Sequence, residues 1–232
     1  MTTQAIPLAH PSTFIPARRI NQSLTAAAEK RILIWLADHA PAWVSSDQLT
    51  VLGLAAQIAA GIFYAVSRTH RLALLLVILC IALNWLGDSL DGTLARVRQQ
   101  QRPRYGFYVD HMVDLFGSIA LMLGLGYSGF AHWPIAIALL LAFLVLAGES
   151  FLATYTLGCF QLSQGLFGPT EIRIGLILGN LALLRSPYAQ ILGHRLLLFD
   201  LGGAIGAAVM FCMAIAITLR HTADLYQQEP LP

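Results

Sequence analysis

Four aspartates stand in two pairs within an apolar part of the chain. Asp88 and Asp91 are three residues apart, and Asp110 and Asp114 are four residues apart. Either spacing puts both carboxylates of a pair on one face of a helix. The two pairs together carry a charge that two divalent cations would balance. Hard oxygen ligands favour magnesium, manganese or calcium over zinc.

Small residues and an arginine lie between the two acidic pairs. Gly92 follows Asp91 directly and has no side chain, so a ligand can approach its backbone; Ala95 and Gly106 are also small. Arg96 offers a planar fork of donors that suits phosphate oxygens. Carboxylates, cations, small residues and arginine together predict a diphosphate site. There, two metal ions can clamp the attacking and leaving oxygens of a phosphoryl displacement.

The composition predicts that these acids lie in a membrane protein. Of the 232 residues, 57% are hydrophobic and only 11% are charged, whereas an ordinary globular domain is about 25% charged. This composition disfavours a soluble enzyme, a disordered chain and a disulfide scaffold, and the net charge of +2 does not indicate a nucleic-acid partner. Four unpaired carboxylates at bilayer depth would cost roughly 10 kcal/mol. They must therefore face cations or open onto water.

Six apolar stretches can each span a membrane, which takes about 20 residues. We therefore expect an all-α integral membrane protein with a six-helix catalytic domain over residues 48–220. A polar segment over residues 1–23 comes first, and residues 221–232 form a polar tail. Between them, residues 24–47 mix apolar and charged side chains in the manner of an amphipathic helix at the interface. The predicted spans are 48–67, 71–94, 107–128, 133–157, 168–185 and 199–219.

Basic residues predict the orientation of these spans. With the N-terminus in the cytoplasm, ten Lys and Arg residues lie inside and four lie outside, as the positive-inside rule favours. Both termini and the acidic pairs then face the cytoplasm. The inner residues are Arg18, Arg19, Lys30, Arg31, Arg96, Arg98, Arg102, Arg104, Arg173 and Arg220, and the outer ones are Arg68, Arg71, Arg185 and Arg195.

The segment from Asp88 to Asp114 resembles the signature of the CDP-alcohol phosphotransferase family. That signature reads D-x2-D-G-x2-A-R, then eight or nine residues, then G-x3-D-x3-D. All eight of its fixed positions match here, with nine residues between Arg96 and Gly106. The resemblance implies six transmembrane helices, an N-terminal interfacial helix and a homodimer. It also implies transfer of a substituted phosphate from a CDP-linked donor to an alcohol, with release of CMP and at least one lipid substrate.

The resemblance also implies a role for each matching residue. Its four acidic positions would ligate two divalent cations, Mg²⁺ in preference to Mn²⁺: Asp88, Asp91, Asp110 and Asp114. Asp114 would also be the catalytic general base that takes the proton of the acceptor hydroxyl. The remaining positions would frame the cytidine and the diphosphate: Gly92, Ala95, Arg96 and Gly106. We expect direct in-line displacement, with most of the rate gain coming from the metal ions and from alignment.

Two short features favour the choline/ethanolamine phosphotransferase type within the family. His111 follows Asp110 where many phosphatidylglycerophosphate-type members have proline, and Gly168-Pro169-Thr170-Glu171 is similar to a segment of the aminoalcohol enzymes. CDP-diacylglycerol and CDP-aminoalcohols both stay open as donors. Four polar residues are candidate contacts to a headgroup or to the acceptor, each with a purely structural alternative: His111, Glu149, Glu171 and Arg173.

A transporter or channel for divalent cations is the alternative class of function. Intramembrane acids also mark ion paths, which makes this class a real competitor. A conduction path, however, needs polar groups across the bilayer, whereas these acids cluster at the cytoplasmic side. Arg96 stands beside them and would repel cations. The sequence therefore favours the enzyme.

Overall fold

Long apolar helices joined by short turns make up the fold. The computed structural model describes residues 18–20, 23–161, 168–191, 193–229 and 231. The predicted polar segment 1–23 therefore lies almost wholly outside the described residues. The helices are α1 (Ala26–His39), α2 (Ser46–Ser67), α3 (Ala73–Val97), α4 (Pro103–Ser128), α5 (Trp133–Thr156), α6 (Pro169–Arg185) and α7 (Leu198–Gln228).

Among the described residues, five helices are long and apolar enough to cross a membrane: α2, α3, α4, α5 and α7. This confirms a helical integral membrane protein. Helix α6 falls on the predicted fifth span but has only 17 residues, so six spans stay a proposal. Helix α4 begins four residues before the predicted span, because Pro103 occupies its first turn, where proline is tolerated.

The last helix continues into the predicted polar tail. Helix α7 continues to Gln228 instead of ending near residue 219. Neither glycine nor proline occurs between residues 207 and 229, and alanine, leucine and glutamine favour the helical state. Residues 221–228 therefore extend the last transmembrane helix beyond its apolar part.

Within the part of the chain that the structure describes, two small strand pairs accompany the helices. Strand β1 (Arg18–Ile20) pairs in parallel with β2 (Cys159–Gln161), and β3 (Tyr188–Ile191) pairs antiparallel with β4 (His194–Leu197). The β3–β4 hairpin lies in the predicted outer loop, where Gly193 has a φ of 83° that favours glycine. The all-α expectation missed these pairs because each strand has only three or four residues.

Helix α1 packs on the membrane domain with one apolar face. Leu33 and Ala37 are buried against Leu90 and Leu94 of α3. Trp35, by contrast, is 59% exposed and lies on a different face of the same helix. An apolar contact on one side and an exposed aromatic on another suit a helix at the membrane surface.

Helix α2 lies between α3 and α4 and packs against both. It comes close to α3 at Gly87, where an added Cβ would lie 2.5 Å from the carbonyl oxygen of Leu49 and 2.8 Å from the Cα of Gly53. Backbones can come this close only where side chains are absent. Helices α1 and α6 pack on α3, and α5 packs on α4 and α7. The α2–α3 contact therefore fixes the residue next to Asp88.

We expect Gly87→Ala to destabilise the protein by about 1–3 kcal/mol, because the new methyl group would overlap the backbone of α2. Thermal unfolding of the protein in detergent or lipid measures this loss. Gly202→Ala is the matched control, since an added Cβ there meets nothing within 4 Å and alanine favours the helix. Equal melting temperatures of the two variants would contradict the proposed close contact.

Candidate active site

Three carboxylates converge from two helices. Asp88 comes from the C-terminal half of α3, and Asp110 and Asp114 come from adjacent turns of α4. One oxygen of each lies within 4.8 Å of the others. All three residues are half-buried and line a small cleft between α2, α3 and α4. The i, i+4 spacing on α4 thus does place two acids on one face, opposite Asp88.

The fourth aspartate lines the same cleft but faces a different helix. Asp91 is 7% exposed, and its Oδ2 accepts a hydrogen bond of 2.5 Å from the hydroxyl of Thr50 on α2. Its Oδ1 accepts a hydrogen bond from the backbone N–H of Gly92. The structure therefore brings three of the four predicted metal ligands together and holds Asp91 beside them.

An arginine from α6 reaches into the acidic cluster. Arg173 donates from Nη2 to Oδ2 of Asp88 at 2.5 Å and from Nε to Oδ1 of Asn84 at 2.9 Å. Asn84 in turn donates to the backbone carbonyl of Gly53 at 3.0 Å and to Gln57 at 3.3 Å. The side chain of Arg173 is 14% exposed and that of Asp88 is 20% exposed. A positive charge therefore stands among the carboxylates.

The predicted diphosphate residues lie on the helix turns that follow Asp91 on α3 and precede Asp110 on α4. Gly92 and Ala95 are half-buried on the last turns of α3, and Arg96 is exposed there. Nη1 of Arg96 lies 3.3 Å from the position of a Cβ on Gly92, and its Nη2 donates to the hydroxyl of Thr93 at 2.9 Å. Gly106, on the first turn of α4, is exposed. The guanidinium thus folds over a glycine next to the acids.

The profile of the family described as CDP-alcohol phosphatidyltransferase matches residues 43–220, which is most of the chain. The chain belongs to this family. A comparison with curated proteins finds no match. As a CDP-alcohol phosphatidyltransferase, the protein is a membrane transferase of phospholipid synthesis that acts on a CDP-linked donor and an alcohol or lipid acceptor.

The acidic cluster of this CDP-alcohol phosphatidyltransferase fits the divalent cations that the family uses. Three carboxylates within 4.8 Å of one another offer several oxygen atoms, and Mg²⁺ in proteins is bound by one or two carboxylates together with substrate phosphates and water. Asp88, Asp110 and Asp114 are therefore the residues that would hold a cation in this structure.

Both acids among the candidate headgroup contacts of the transferase have protein partners. Oε1 of Glu171 accepts from the N–H and the hydroxyl of Thr25, each at 2.8 Å, and Oε2 accepts from the N–H of Gly168 at 2.8 Å. Glu149 on α5 lies 2.6 Å from Nδ1 of His221 on α7. The structure thus uses Glu171 to join α1 with the start of α6, and Glu149 to join α5 with α7.

His111 of the transferase lies beside the cluster but packs among aromatic rings. Its Nδ1 is 2.6 Å from the carbonyl oxygen of Phe107, one turn earlier on α4. The ring centroids of Phe107, Phe151 and Phe160 lie 4.1, 5.1 and 4.8 Å from that of His111. Nδ1 is also 3.8 Å from the carboxylate of Asp110. Nδ1 of His111 thus has a hydrogen-bond partner within its own helix.

Three polar side chains near the transferase site were missed by the sequence reasoning. Asn84 precedes Asp88 by one helical turn in an apolar stretch, so its position on the same face was a usable signal. Thr50 and Glu29 lie on other helices, and no local pattern relates them to the aspartates. Their contacts arise only from the packing of α2 and α1 against α3.

Proposed function

We propose that this transferase catalyses direct in-line displacement at the β-phosphorus of a CDP-linked donor. The acceptor hydroxyl oxygen forms a bond to that phosphorus, and the bond from phosphorus to the oxygen of CMP breaks. The hydroxyl proton passes to the carboxylate of Asp114, and CMP leaves with the electron pair. The convergence of Asp88, Asp110 and Asp114 within 4.8 Å is the observation that carries this proposal.

Each residue of the cleft has a part in this reaction. Asp88, Asp110 and Asp114 would hold two divalent cations, Mg²⁺ in preference to Mn²⁺, and Asp91 would join them by giving up its hydrogen bond to Thr50. When bound, such ions stabilise charge on the attacking and leaving oxygens. The Arg96 guanidinium and the open backbone at Gly92, Ala95 and Gly106 would hold the diphosphate and cytidine. A base must first be within reach of the proton, and only then does its pKa matter.

CDP-choline or CDP-ethanolamine with a lipid acceptor is the first donor class that we propose, and CDP-diacylglycerol with a soluble alcohol is the second. The support is His111, directly after Asp110. The segment Gly168-Pro169-Thr170-Glu171 carries less weight, because it starts helix α6. Pro169 begins the helix, and the Glu171 side chain accepts from the N–H of Gly168.

We also propose six spans, an interfacial position for helix α1, a cytoplasmic site and a homodimer. Helix α6 is about 26 Å long at 1.5 Å per residue, close to the roughly 30 Å of a bilayer core. Three of the four arginines that we expect on the outer side of the membrane make contacts near the helix ends that lie away from the acidic cluster. Arg71 donates to the carbonyl of Leu183, and Arg68 and Arg195 lie over tyrosine rings. The homodimer rests on the family resemblance.

We expect Mg²⁺-dependent CMP release by the purified protein in lipid nanodiscs with one donor–acceptor pair. CDP-choline, CDP-ethanolamine and CDP-diacylglycerol would be supplied in turn as donors. The acceptors would be diacylglycerol, glycerol phosphate, inositol phosphate and serine. Chromatography would quantify CMP and mass spectrometry the lipid product. EDTA should abolish release and added Mg²⁺ restore it, because the carboxylates need cations to bind the diphosphate.

The double variant Asp88→Asn/Asp110→Asn is the inactive control in this assay. If folded wild-type protein releases no CMP from any donor, the proposal that it is an enzyme is contradicted. Divalent-cation flux through proteoliposomes without CMP release would favour the transporter instead. A phosphorylated protein trapped during turnover would contradict direct displacement.

A further inference from the structure

The carboxylate of Glu29 on helix α1 gathers three hydrogen bonds on one oxygen. Its Oε1 accepts from Nε1 of Trp85 at 2.8 Å, from the hydroxyl of Ser89 at 3.0 Å and from the hydroxyl of Thr170 at 2.8 Å. Trp85 and Ser89 belong to α3, and Thr170 belongs to α6. Nothing in the chemistry proposed above uses this half-buried acid.

The partners of Glu29 lie next to the residues that form the cleft. Ser89 directly follows Asp88 on α3, and Thr170 precedes Arg173 by one turn of α6. Arg173 and Asp88 are themselves joined by a hydrogen bond of 2.5 Å. Glu29 thus links α3 and α6 at the level where the side chains of Asp88 and Arg173 meet.

We propose that Glu29 is a positioning residue, and that α1 sets the relation between α3 and α6 and so the orientation of the Asp88 carboxylate toward Asp110 and Asp114. This inference rests on the proposed function of that cleft. Glu29 lies outside residues 43–220, which the family profile matches. Hydrogen bonds to a carboxylate are charge-assisted and stronger than neutral ones, so one acid can hold two helices in register.

A second link between α1 and α6 provides a matched control. The hydroxyl of Thr25 donates to Glu171 at 2.8 Å, one helical turn before Glu29. This contact joins the same two helices but does not involve α3 or the Arg173–Asp88 pair. Thr25→Val removes the hydroxyl donor and leaves the backbone N–H of Thr25 bonded to Glu171, so it weakens the attachment of α1 without touching the proposed positioning contact.

The test measures Mn²⁺ binding by electron paramagnetic resonance, thermal unfolding and CMP release in the full-length protein. We expect Glu29→Ala to weaken Mn²⁺ binding about tenfold and to lower turnover, as is typical when a residue that orients metal ligands is removed. Glu29→Gln should have a smaller effect, because its amide keeps an acceptor oxygen. Thr25→Val should lower only the melting temperature.

The outcomes separate positioning from simple attachment. If Glu29→Ala lowers the melting temperature but leaves Mn²⁺ affinity unchanged, the inference is overturned. If Glu29→Ala does not fold, Glu29→Gln is combined with Ser89→Ala, and purely additive effects on Mn²⁺ affinity overturn it.

The same measurements distinguish this inference from the proposed function. Wild-type protein that binds Mn²⁺ but releases no CMP refutes the reaction, while the effect of Glu29 on Mn²⁺ affinity still decides the inference. Wild-type protein that binds no Mn²⁺ overturns both, because the positioning role is defined by the metal site.

Discussion

Asp114→Asn is expected to lower CMP release by about 10²–10⁴-fold, the range that a general base contributes. An amide at this position cannot take the proton of the acceptor hydroxyl. It keeps a side-chain oxygen near those of Asp88 and Asp110, which lie within 4.8 Å of Asp114 in the native cluster. Gly92 and Arg96, which we propose to bind the donor, lie on α3 and are not altered.

Turnover and donor binding must be measured separately to test this role. Single-turnover CMP release reports the chemical step, and calorimetry with a non-reactive CDP-alcohol analogue reports binding. Asp224→Asn is the matched control, because it removes an exposed carboxylate on α7 far along the chain from the cleft. Turnover by Asp114→Asn near the wild-type level would remove Asp114 from the base role. Loss of analogue binding would instead assign it mainly to cation binding.

The acidic cluster was predictable because helix geometry relates spacing to direction. Asp110 and Asp114 are one turn apart on α4, so they had to share a face whatever the rest of the fold. The orientation of Asp91 was not predictable in this way. Its carboxylate accepts from Thr50 on α2, and only the packing of α2 against α3 brings these two residues together.

The helices themselves were predictable from apolar length, since a span must satisfy its backbone internally. Their ends depend on local chemistry that hydropathy does not register, such as Pro103 at the start of α4. The β3–β4 hairpin depends on a turn at Gly193 within a polar loop. Hydropathy therefore predicted the membrane domain but neither the exact ends of its helices nor the short strands in its loops.

Charged residues at helix starts were the least informative signals. Glu171 and Arg173 are two residues apart on α6, yet Glu171 bonds to Thr25 and Gly168 while Arg173 bonds to Asp88. From the sequence alone, each of the two residues could either contact a headgroup or the acceptor, or have a purely structural role. Residues two apart on a helix point in different directions, and their partners come from different helices. The distinction therefore required the assembled structure.

Arg173→Ala is expected to destabilise the protein most strongly when divalent cations are absent. The side chains of Arg173 and Asp88 are 14% and 20% exposed. Removing one partner of a fully buried ion pair costs about 3–5 kcal/mol, and this half-buried pair should cost less. The variant leaves Asp88, Asp110 and Asp114 within 4.8 Å of one another without the neighbouring guanidinium. A cation held by these carboxylates should offset their repulsion, so Mg²⁺ should raise the melting temperature more in the variant than in the wild type.

Melting temperatures in EDTA and in millimolar Mg²⁺ provide the comparison for wild type, Arg173→Ala and Arg173→Lys. The lysine variant keeps a positive charge but loses the fork that reaches both Asp88 and Asn84, so it should fall between the other two. Arg195→Ala is the control at the other end of the fold, where the guanidinium lies over Tyr188, and its Mg²⁺ response should equal that of the wild type. An Arg173→Ala variant whose Mg²⁺ response also equals that of the wild type would show that the guanidinium and the cation do not act on the same carboxylates.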